Sequence, residues 1–411
     1  MARSLVLTVT NVLLRGATMG GRFVLLLALA RYLPAAAVGL YALFAAAVQW
    51  GIYLQGLDFY VVNVREVAGA DPRGQARRIR DAAVLAGIMM LVSAAIWPLL
   101  VGAGLLPWDL LGCLLPLLAL ESTSQEASRL LNVLGRPLAS SVVLLVRGGA
   151  WMYVLAAAMV VLPEVRSLDV VLAVWVAGAG SSVVLAVWLL RGLPWRDLPP
   201  IDWRWIRTGV GTSLPLLLGS LSLRAVPVFD RWLVGETGGG VALGVFGFYA
   251  AIAAALSALV ESGVGVVFFP QMMRAWQAGD ADGFTHARRA LRRAILGFTL
   301  LAVPALLVGV WLVVEHATPP VYAAHFEVFV VLLAASALSS VATIPQYALW
   351  TWRRYRAIVT ASVLGLVVAV VIDLAAVPGL GIDGAAMGQL GAASAMLVGR
   401  ALAARRAPAS G

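Results

Sequence analysis

The sequence lacks lysine altogether, has one cysteine and three histidines, and only 12% of its residues are charged. One cysteine cannot build a disulfide framework, so a small disulfide-stapled scaffold is excluded. The three histidines are far apart along the chain, which leaves no cluster with the spacing of a metal site. A Walker phosphate-binding loop is also missing, which excludes ATP as a directly bound energy source. We therefore expect neither a metal nor a cofactor.

Apolar residues are what the sequence has in excess, at 62% of 411 residues, with a mean hydropathy of +0.93. Soluble domains are far less apolar, so the chain is predicted to be an all-α polytopic membrane protein. A helix needs about 20 apolar residues to span a bilayer. Twelve runs come close to or exceed that length, namely residues 5–33, 37–60, 81–103, 109–132, 139–162, 169–191, 208–233, 241–268, 294–315, 326–351, 357–378 and 383–404.

The distribution of arginine predicts how these helices are oriented. All 30 basic residues are arginine, and the net charge is +10. With a cytoplasmic N-terminus, nearly all of them fall in cytoplasmic segments; the exceptions are Arg31, Arg166 and Arg231 outside, and Arg15, Arg22, Arg147 and Arg224 within helices. This asymmetry satisfies the positive-inside rule and places both termini in the cytoplasm. The positive charge is therefore a topology signal, and no nucleic-acid partner is expected.

The chain repeats its own pattern about 200 residues later. The segment RYLPAAAVGLYALFAAA (31–47) resembles RWLVGETGGGVALGVFGFYAAI (231–252), and the loop GADPRGQARR (69–78) resembles GDADGFTHARR (279–289). A repeat whose halves start on the same side of the membrane is typical of two lobes related by a pseudo-two-fold axis along the membrane normal. The expected domains are an N-terminal six-helix lobe at 1–191, an interfacial linker at 192–207 and a C-terminal six-helix lobe at 208–411.

The first and the seventh apolar runs each carry a polar stripe at helical spacing. The stripe of the first run consists of Asn11, Arg15, Thr18 and Arg22. The stripe of the seventh run consists of Ser213, Ser220 and Arg224. A charged side chain at mid-membrane costs roughly 2.5 to 3.5 kcal/mol even on the lenient insertion scale, so both stripes are expected to face the bundle interior or a water-filled cavity.

Acidic residues inside the membrane are fewer. Glu121 lies near the middle of the fourth run, and Arg147 lies at comparable depth in the fifth, so an ion pair is expected. That pair either only docks two helices or makes Glu121 a titratable or ion-binding site. Glu261, in the eighth run, has no obvious partner, and Glu121 and Glu261 are the two candidates for ion coupling. The remaining carboxylates near run ends are expected to be solvated or to cap helices: Asp58, Asp230 and Asp373.

The mid-membrane arginines outnumber the mid-membrane carboxylates. A positive, partly desolvated cavity selects an anion, and the guanidinium fork fits phosphate oxygens. The alternative is that the arginines are held in backbone and carboxylate contacts and bind nothing. The sequence thus predicts an anion-binding cavity and leaves this second interpretation open.

Three stretches resemble the Wzx-type O-antigen and exopolysaccharide flippases of the multidrug/oligosaccharidyl-lipid/polysaccharide (MOP) exporter superfamily. They are RGATMGGRFVLLLALARYLPAAAVGLYALF (15–44), FFPQMMRAWQAGDADGFTHARRALRRA (268–294) and VPGLGIDGAAMG (377–388). The resemblance covers nearly the whole chain. Its motifs are diffuse and identify the superfamily much better than the substrate.

The resemblance implies a two-lobe transporter with twelve helices in the bacterial cytoplasmic membrane. It would flip an undecaprenyl-diphosphate-linked oligosaccharide to the outer leaflet, for lipopolysaccharide or exopolysaccharide synthesis, and hold the headgroup in a cationic cavity. Its partners would be this lipid-linked oligosaccharide, membrane lipid and other membrane proteins of polysaccharide assembly. The predicted substrate-binding residues are Arg15, Arg22, Arg147, Arg224, Asn11, Thr18 and Ser220.

Two alternatives belong to other classes. A multidrug exporter of the same superfamily would need an acidic cavity for cationic drugs, which the arginine excess disfavours. A membrane glycan polymerase or glycosyltransferase would be an enzyme, and would need catalytic groups in a substantial outside loop. The outside loops of this sequence are too short for that. A transporter without enzymatic activity is therefore the favoured prediction, driven by the membrane potential or by a proton or sodium gradient.

Overall fold

The computed structural model describes residues 2–406, apart from the side chains of residues 2–6, 8, 9, 262 and 266. These residues form α-helices joined by short turns, and no strand occurs among them. Helices are what a bilayer requires, because each backbone N–H and C=O must find its partner within the segment. By Cα packing the chain divides into a first lobe, residues 2–33 and 44–217, and a second lobe, residues 34–43 and 218–406.

The helices of the first lobe follow one another with short connections. A π-helical turn at Val146–Ala150 joins α6 to α7, so these two form one membrane crossing. The helices are α1 (Ala2–Tyr32), α2 (Ala35–Gly56), α3 (Tyr60–Gly69), α4 (Pro72–Gly102), α5 (Leu111–Val133), α6 (Pro137–Leu145), α7 (Trp151–Val161) and α8 (Leu168–Leu190).

The second lobe begins within a very long helix, α9 (Trp203–Leu259). A π-helical turn at Val260–Gly265 continues it into α10. The later helices are α10 (Val266–Gln277), α11 (Ala281–Ala317), α12 (Pro320–Ala323), α13 (Phe326–Thr351), α14 (Tyr355–Leu380) and α15 (Ile382–Arg405). Residues 34–43 pack with this lobe because Gly244 lies against the backbone of Ala35, so closely that a Cβ at Gly244 would overlap it.

The predicted twelve crossings are confirmed. Within residues 2–406, nine helices are long and apolar enough to span a membrane by composition. One of them, Trp203–Gly265, is two crossings, because α9 has 57 residues and bends at Gly239, whose φ of 74° only glycine adopts easily. The remaining two crossings are α5 and α15. Their 23 and 24 residues are long enough to span the membrane, but their most apolar stretches are less hydrophobic than those of the nine helices counted above.

The position of this bend corrects one sequence prediction. The seventh crossing is predicted to end at residue 233, with Arg231 in an outside segment. In the structure the chain stays helical up to the bend, and Arg231 is buried, with its Nη1 donating to the carbonyl of Pro227 at 2.8 Å. The glycine-rich segment GETGGG (235–240) suggests that the helix ends there. One glycine inside a helix costs only about 1 kcal/mol relative to alanine, so the helix can continue past Gly235.

The segment before α9, predicted to be a linker lying on the membrane, packs on the first lobe. Asp202 accepts hydrogen bonds from the backbone N–H of Trp205 at 3.0 Å and from Arg77 and Arg78 at 3.1 Å each. The guanidinium of Arg78 also lies 4.5 Å from the centre of the Trp205 ring. Asp202 therefore caps α9 and attaches its first turn to α4 at the same time.

We expect Asp202→Asn to loosen this attachment. The backbone N–H of Trp205, with Arg78 and Arg77, favours the charged carboxylate and holds the pKa of Asp202 below its ordinary value of 3.8. A depressed pKa in the folded state contributes stability above the unfolded pKa, and this is lost as pH falls through the folded pKa. The wild type should therefore have a higher thermal unfolding midpoint than the variant at neutral pH. The difference should shrink as pH falls below 3.8 and vanish once Asp202 is protonated in the folded state.

Limited trypsin digestion at neutral pH gives a second measurement of the same change. Cleavage after the exposed Arg191 should be faster in the Asp202→Asn variant than in the wild type. Asp197→Asn is the matched control, since Asp197 is exposed on the same segment. Equal cleavage rates in the two variants would show that Asp202 does not attach the segment.

Candidate functional site

The polar stripe of α1 lies along the crossing formed by α6 and α7. Arg15 donates from Nε to the hydroxyl of Ser141 at 3.4 Å, and that hydroxyl in turn donates to the amide oxygen of Asn11. Thr18 is buried and donates to the carbonyl of Leu14 at 2.9 Å. The prediction that this face points into the bundle is therefore correct for these three residues within the first lobe.

Arg22, the last residue of the stripe, differs from the others because its side chain is exposed. Its guanidinium lies beside Gly148 in the π-helical turn. A Cβ atom added to Gly148 would lie 3.3 Å from Nη2 of Arg22. Within residues 2–406 no carboxylate lies at ion-pair distance from Arg22, and Arg147 is a cationic neighbour. Arg22 is thus a cation on a membrane-spanning helix whose charge the first lobe does not balance.

Arg147 and Glu121 form the ion pair that the sequence predicted. Arg147 Nε lies 3.6 Å from Glu121 Oε2, with side-chain exposures of 9% and 6%. Glu121 Oε1 accepts from the indole N–H of Trp175 at 2.8 Å, and Arg147 Nη1 donates to Gln125 at 3.4 Å. The positive charge of Arg147 is therefore compensated inside the lobe, unlike that of Arg22.

In the second lobe, Arg224 and Ser220 lie half-buried on α9. The structure supplies Glu261 with two partners that the sequence did not suggest: it interacts electrostatically with Arg224 and with Arg400 of α15. The sequence places Arg400 in a cytoplasmic segment, but the residue is buried at 4% exposure, and its Nε has no hydrogen-bond acceptor among the described residues. Two arginines thus interact with one carboxylate in this part of the second lobe.

Asp230 and Asp373 form a buried carboxylate pair that the sequence analysis missed. Both are 0% exposed, so the solvated or capping roles expected for them are wrong, and Asp58, between α2 and α3, is buried as well. The two paired side chains interact directly, and Gln389 Nε2 donates to Asp230 Oδ2 at 2.7 Å. Asp230 Oδ1 and both carboxylate oxygens of Asp373 have no hydrogen-bond donor in the part of the chain that the structure describes. Asp230 also interacts electrostatically with the buried Arg231, but one guanidinium balances only one of the two carboxylate charges. Two carboxylates that face each other without a donor can then be accommodated by a shared proton or a small cation.

A cavity of about 150 Å³ lies next to this pair within the second lobe. Gln389 belongs both to the cavity wall and to the hydrogen bond with Asp230. The wall also carries four hydroxyl groups, from Ser257, Ser336, Ser339 and Ser362. At about 30 Å³ per water molecule, a cavity of this volume with polar partners has room for about five water molecules, so it can hydrate the approach to Asp230.

Metal ligands in proteins are mostly histidine, cysteine and acidic side chains. No group of three such residues capable of holding a metal ion occurs in the described part of the chain. The structure therefore offers two kinds of polar site inside the bundle. One kind is arginine-rich, around Arg22 in the first lobe and Arg224 in the second, and suits an anion. The other is the pair of Asp230 and Asp373, which suits a proton or a small cation.

No protein-family model matches the chain, and no curated protein does. Solved structures do match over nearly its whole length. An inward-facing multidrug resistance MATE family transporter of the MOP superfamily superposes with a TM-score of 0.77 at 13% identity, covering 94% of each chain. The lipid II flippase MurJ, in an inward closed conformation, superposes with a TM-score of 0.72 at 12% identity, covering 97% of this chain and 88% of that one.

The chain shares the fold of these two structures. A third neighbour with this fold is a MOP superfamily transporter from Pyrococcus furiosus, described by the reverse polarity of its binding pocket, with a TM-score of 0.55 at 16% identity over 96% of this chain and 94% of that one. At such identities the likeness concerns the fold and not the cargo. The superfamily fold expected from the sequence motifs is thus confirmed, while the assignment to the polysaccharide flippases stays a prediction.

Proposed function

We propose that the chain is a flippase for an anionic, lipid-linked oligosaccharide. The observation that carries this proposal is the exposed guanidinium of Arg22, on a membrane-spanning helix and without a carboxylate at ion-pair distance in residues 2–406. A cation on a spanning helix costs free energy, and an anionic cargo bound by Arg22 would offset that cost. A diphosphate presents the oxygens that a guanidinium binds through two parallel hydrogen bonds.

The proposed cargo combines this charge with a lipid. One neighbour of the same fold is by its description a lipid II flippase, which makes a lipid-linked substrate a natural candidate here. In the proposal the cargo is undecaprenyl-diphosphate-linked oligosaccharide, the lobes rock to expose it in turn to each side, and the lipid tail stays in the bilayer. The chain would act in the bacterial cytoplasmic membrane with both termini inside, for lipopolysaccharide or exopolysaccharide synthesis.

The predicted binding residues take different roles in this proposal. Arg15 and Arg22 of the first lobe and Arg224 of the second are the proposed ligands of phosphate oxygens, and Arg147, whose charge Glu121 already compensates, is the weaker candidate among the four arginines. The hydroxyl or amide groups that would contact the sugar or phosphate are those of Asn11, Thr18 and Ser220. An inside-negative potential favours outward movement of the anionic headgroup by about 2.3 kcal/mol per charge per 100 mV.

Ion coupling is the second component of the proposal. Glu121 and Glu261 are the candidates from the sequence, but each has arginine neighbours that compensate its charge. The Asp230 and Asp373 pair is better suited, because its facing oxygens lack a donor among the described residues and a hydratable cavity lies beside it. We therefore place the coupling proton or sodium ion at this pair.

Flipping of a fluorescent undecaprenyl-diphosphate-linked disaccharide in sealed proteoliposomes tests the cargo. We expect Arg22→Ala and Arg224→Ala to reduce the initial rate at low substrate concentration by about tenfold or more, since a charge-assisted hydrogen bond contributes about 1.5 to 3 kcal/mol. Arg31→Ala is the matched control, because Arg31 is an exposed arginine on the same helix as Arg22. It should flip substrate like the wild type.

Each alternative function has its own outcome in this assay. Wild-type rates in both Arg22→Ala and Arg224→Ala would contradict the anion site. Export of a cationic drug without any flipping would favour the multidrug exporter. Formation of a longer glycan by the purified protein would favour a polymerase or glycosyltransferase.

A further inference from the structure

The two lobes each contain a long helix that starts with the same cap and carries arginines in its first turns. In the first lobe, Asp71 caps α4 and accepts from the backbone N–H of Gly74 at 3.1 Å. In the second lobe, Asp280 caps α11 and accepts from Gly283 at 2.8 Å. The sequence repeat between residues 69–78 and 279–289 thus corresponds to an aspartate-capped helix start with arginines in its first turns, which is present in both lobes.

In the first lobe, carboxylates of the chain itself pair with the arginines at the start of this helix. Arg77 and Arg78 bind Asp202 at 3.1 Å, and Arg78 also lies 3.3 Å from Glu66. Arg80 binds Asp81 at 2.6 Å. An aromatic ring, that of Trp205, covers Arg78. Arg77, Arg78 and Arg80 of α4 are therefore each paired with a carboxylate.

In the second lobe the equivalent arginines have no such partner among the described residues. The basic face of α11, as we name it, consists of Arg288, Arg289, Arg292 and Arg293, all exposed. No carboxylate lies at ion-pair distance from any of the four among residues 2–406. Arg288 lies 5.9 Å from the centre of the Trp352 ring. Like Arg78 it has an aromatic neighbour, but unlike Arg78 it has no carboxylate partner among the described residues.

The side of α11 that lies opposite the four arginines is buried, and its packing fixes the position of the basic face. Phe284, Leu291 and Ile295 are buried and pack in a cluster with Trp276 and Trp352. The four arginines thus project from a helix whose orientation is set by an apolar core. They form a rigid surface and not a mobile charged tail.

The length of α11 places this surface at the level of the lipid headgroups. The helix has 37 residues, and its apolar part, residues 294–314, is about 31 Å long, which equals the hydrocarbon thickness of a bilayer. The arginines immediately precede this apolar part. They therefore lie where phosphate groups of the adjacent leaflet are found.

We propose that the basic face of α11 is a binding site for anionic phospholipid headgroups. The lipid phosphate pairs with these arginines as Asp202 pairs with Arg77 and Arg78 in the first lobe, since both anions present oxygens to paired guanidinium groups. The apolar continuation of α11 accommodates the acyl chains. The site does not depend on what the protein transports, and its test uses no transport assay.

The test compares lipids at the surface of the intact protein. The protein is reconstituted in phosphatidylcholine vesicles with spin-labelled phosphatidylglycerol or spin-labelled phosphatidylcholine, and the motionally restricted fraction of each is measured by electron paramagnetic resonance. The wild type should prefer phosphatidylglycerol. One arginine near an anionic lipid surface contributes about a fivefold preference, so R288Q/R289Q/R292Q/R293Q should lower the preference by about tenfold or more.

The control removes the same number of charges elsewhere. R73Q/R196Q/R204Q/R207Q changes four exposed arginines of the first lobe and should keep most of the preference. Equal losses in the two variants, or no preference in the wild type, would overturn the proposal. Replacement of the four α11 arginines by lysine should preserve much of the preference. If the quadruple glutamine variant does not fold, R289Q/R293Q should lose an intermediate part.

Inorganic phosphate separates a lipid site from a site for the free anion. The preference for phosphatidylglycerol should survive millimolar inorganic phosphate, because a lipid is already concentrated in the plane of the membrane. Loss of the preference under these conditions would show that the face binds free phosphate, and the assignment to lipid would be wrong.

Discussion

Asp373→Asn is expected to uncouple transport from an ion gradient while leaving the protein folded. Asp373 and Asp230 are both 0% exposed, and their facing oxygens have no donor among residues 2–406. Asparagine has the same shape and brings a donor for the Asp230 carboxylate, so the pair no longer needs a proton or cation. The folded state should therefore persist, and the reason for binding an ion should disappear.

Proteoliposomes with an imposed sodium or proton gradient give the measurement. In the wild type one of the two gradients should accelerate flipping, and that gradient identifies the ion. In Asp373→Asn and in Asp230→Asn the acceleration should fall by about tenfold or more, in line with usual coupling free energies of about 1 to 3 kcal/mol. Flipping without a gradient should continue.

Asp383→Asn provides the matched control for this experiment. Asp383 is a half-buried carboxylate near the start of α15, the helix that also carries Gln389. The control should respond to the gradient like the wild type. Acceleration in both Asp230→Asn and Asp373→Asn would contradict the coupling site. If neither gradient accelerates the wild type, the membrane potential alone drives transport and the coupling role is wrong.

Arg147→Ala is expected to have the largest effect on stability. It leaves Glu121 buried, with the indole N–H of Trp175 as a remaining donor at 2.8 Å. Loss of one partner of a buried ion pair costs about 3 to 5 kcal/mol, because the other charge is left uncompensated. The thermal unfolding midpoint of the purified protein should fall accordingly. In E121Q/R147Q both charges are gone, and most of the loss should be recovered.

The double variant also decides between the two roles left open for Arg147. If E121Q/R147Q is stable and flips substrate like the wild type, the pair only docks α5 against the crossing formed by α6 and α7. If it is stable but flips about tenfold more slowly, Arg147 contributes to binding as the sequence predicts. A double variant as unstable as Arg147→Ala would contradict the ion-pair argument itself.

Local spacing was enough to predict some of the site and not the rest. Asn11, Arg15 and Thr18 recur at helical spacing, so their common face followed from the sequence alone, as did the depth match of Glu121 and Arg147. Asp230 and Asp373 lie on helices separated by more than 140 residues, and each by itself resembles an ordinary residue near a helix end. Only packing of α9 against α14 and α15 reveals that they meet.

The sequence by itself determined that the chain is a bundle of twelve membrane-spanning helices, because hydrocarbon admits only long apolar helices. The arginine asymmetry predicts their orientation. The sequence also determined that arginine exceeds acid within the membrane. The tertiary structure alone decided which of those charges are balanced: Glu121 compensates Arg147, whereas no carboxylate in the residues that the structure describes lies at ion-pair distance from Arg22. The physical reason is that charge compensation acts over a few ångströms, and such distances depend on helix packing, which a linear pattern does not specify.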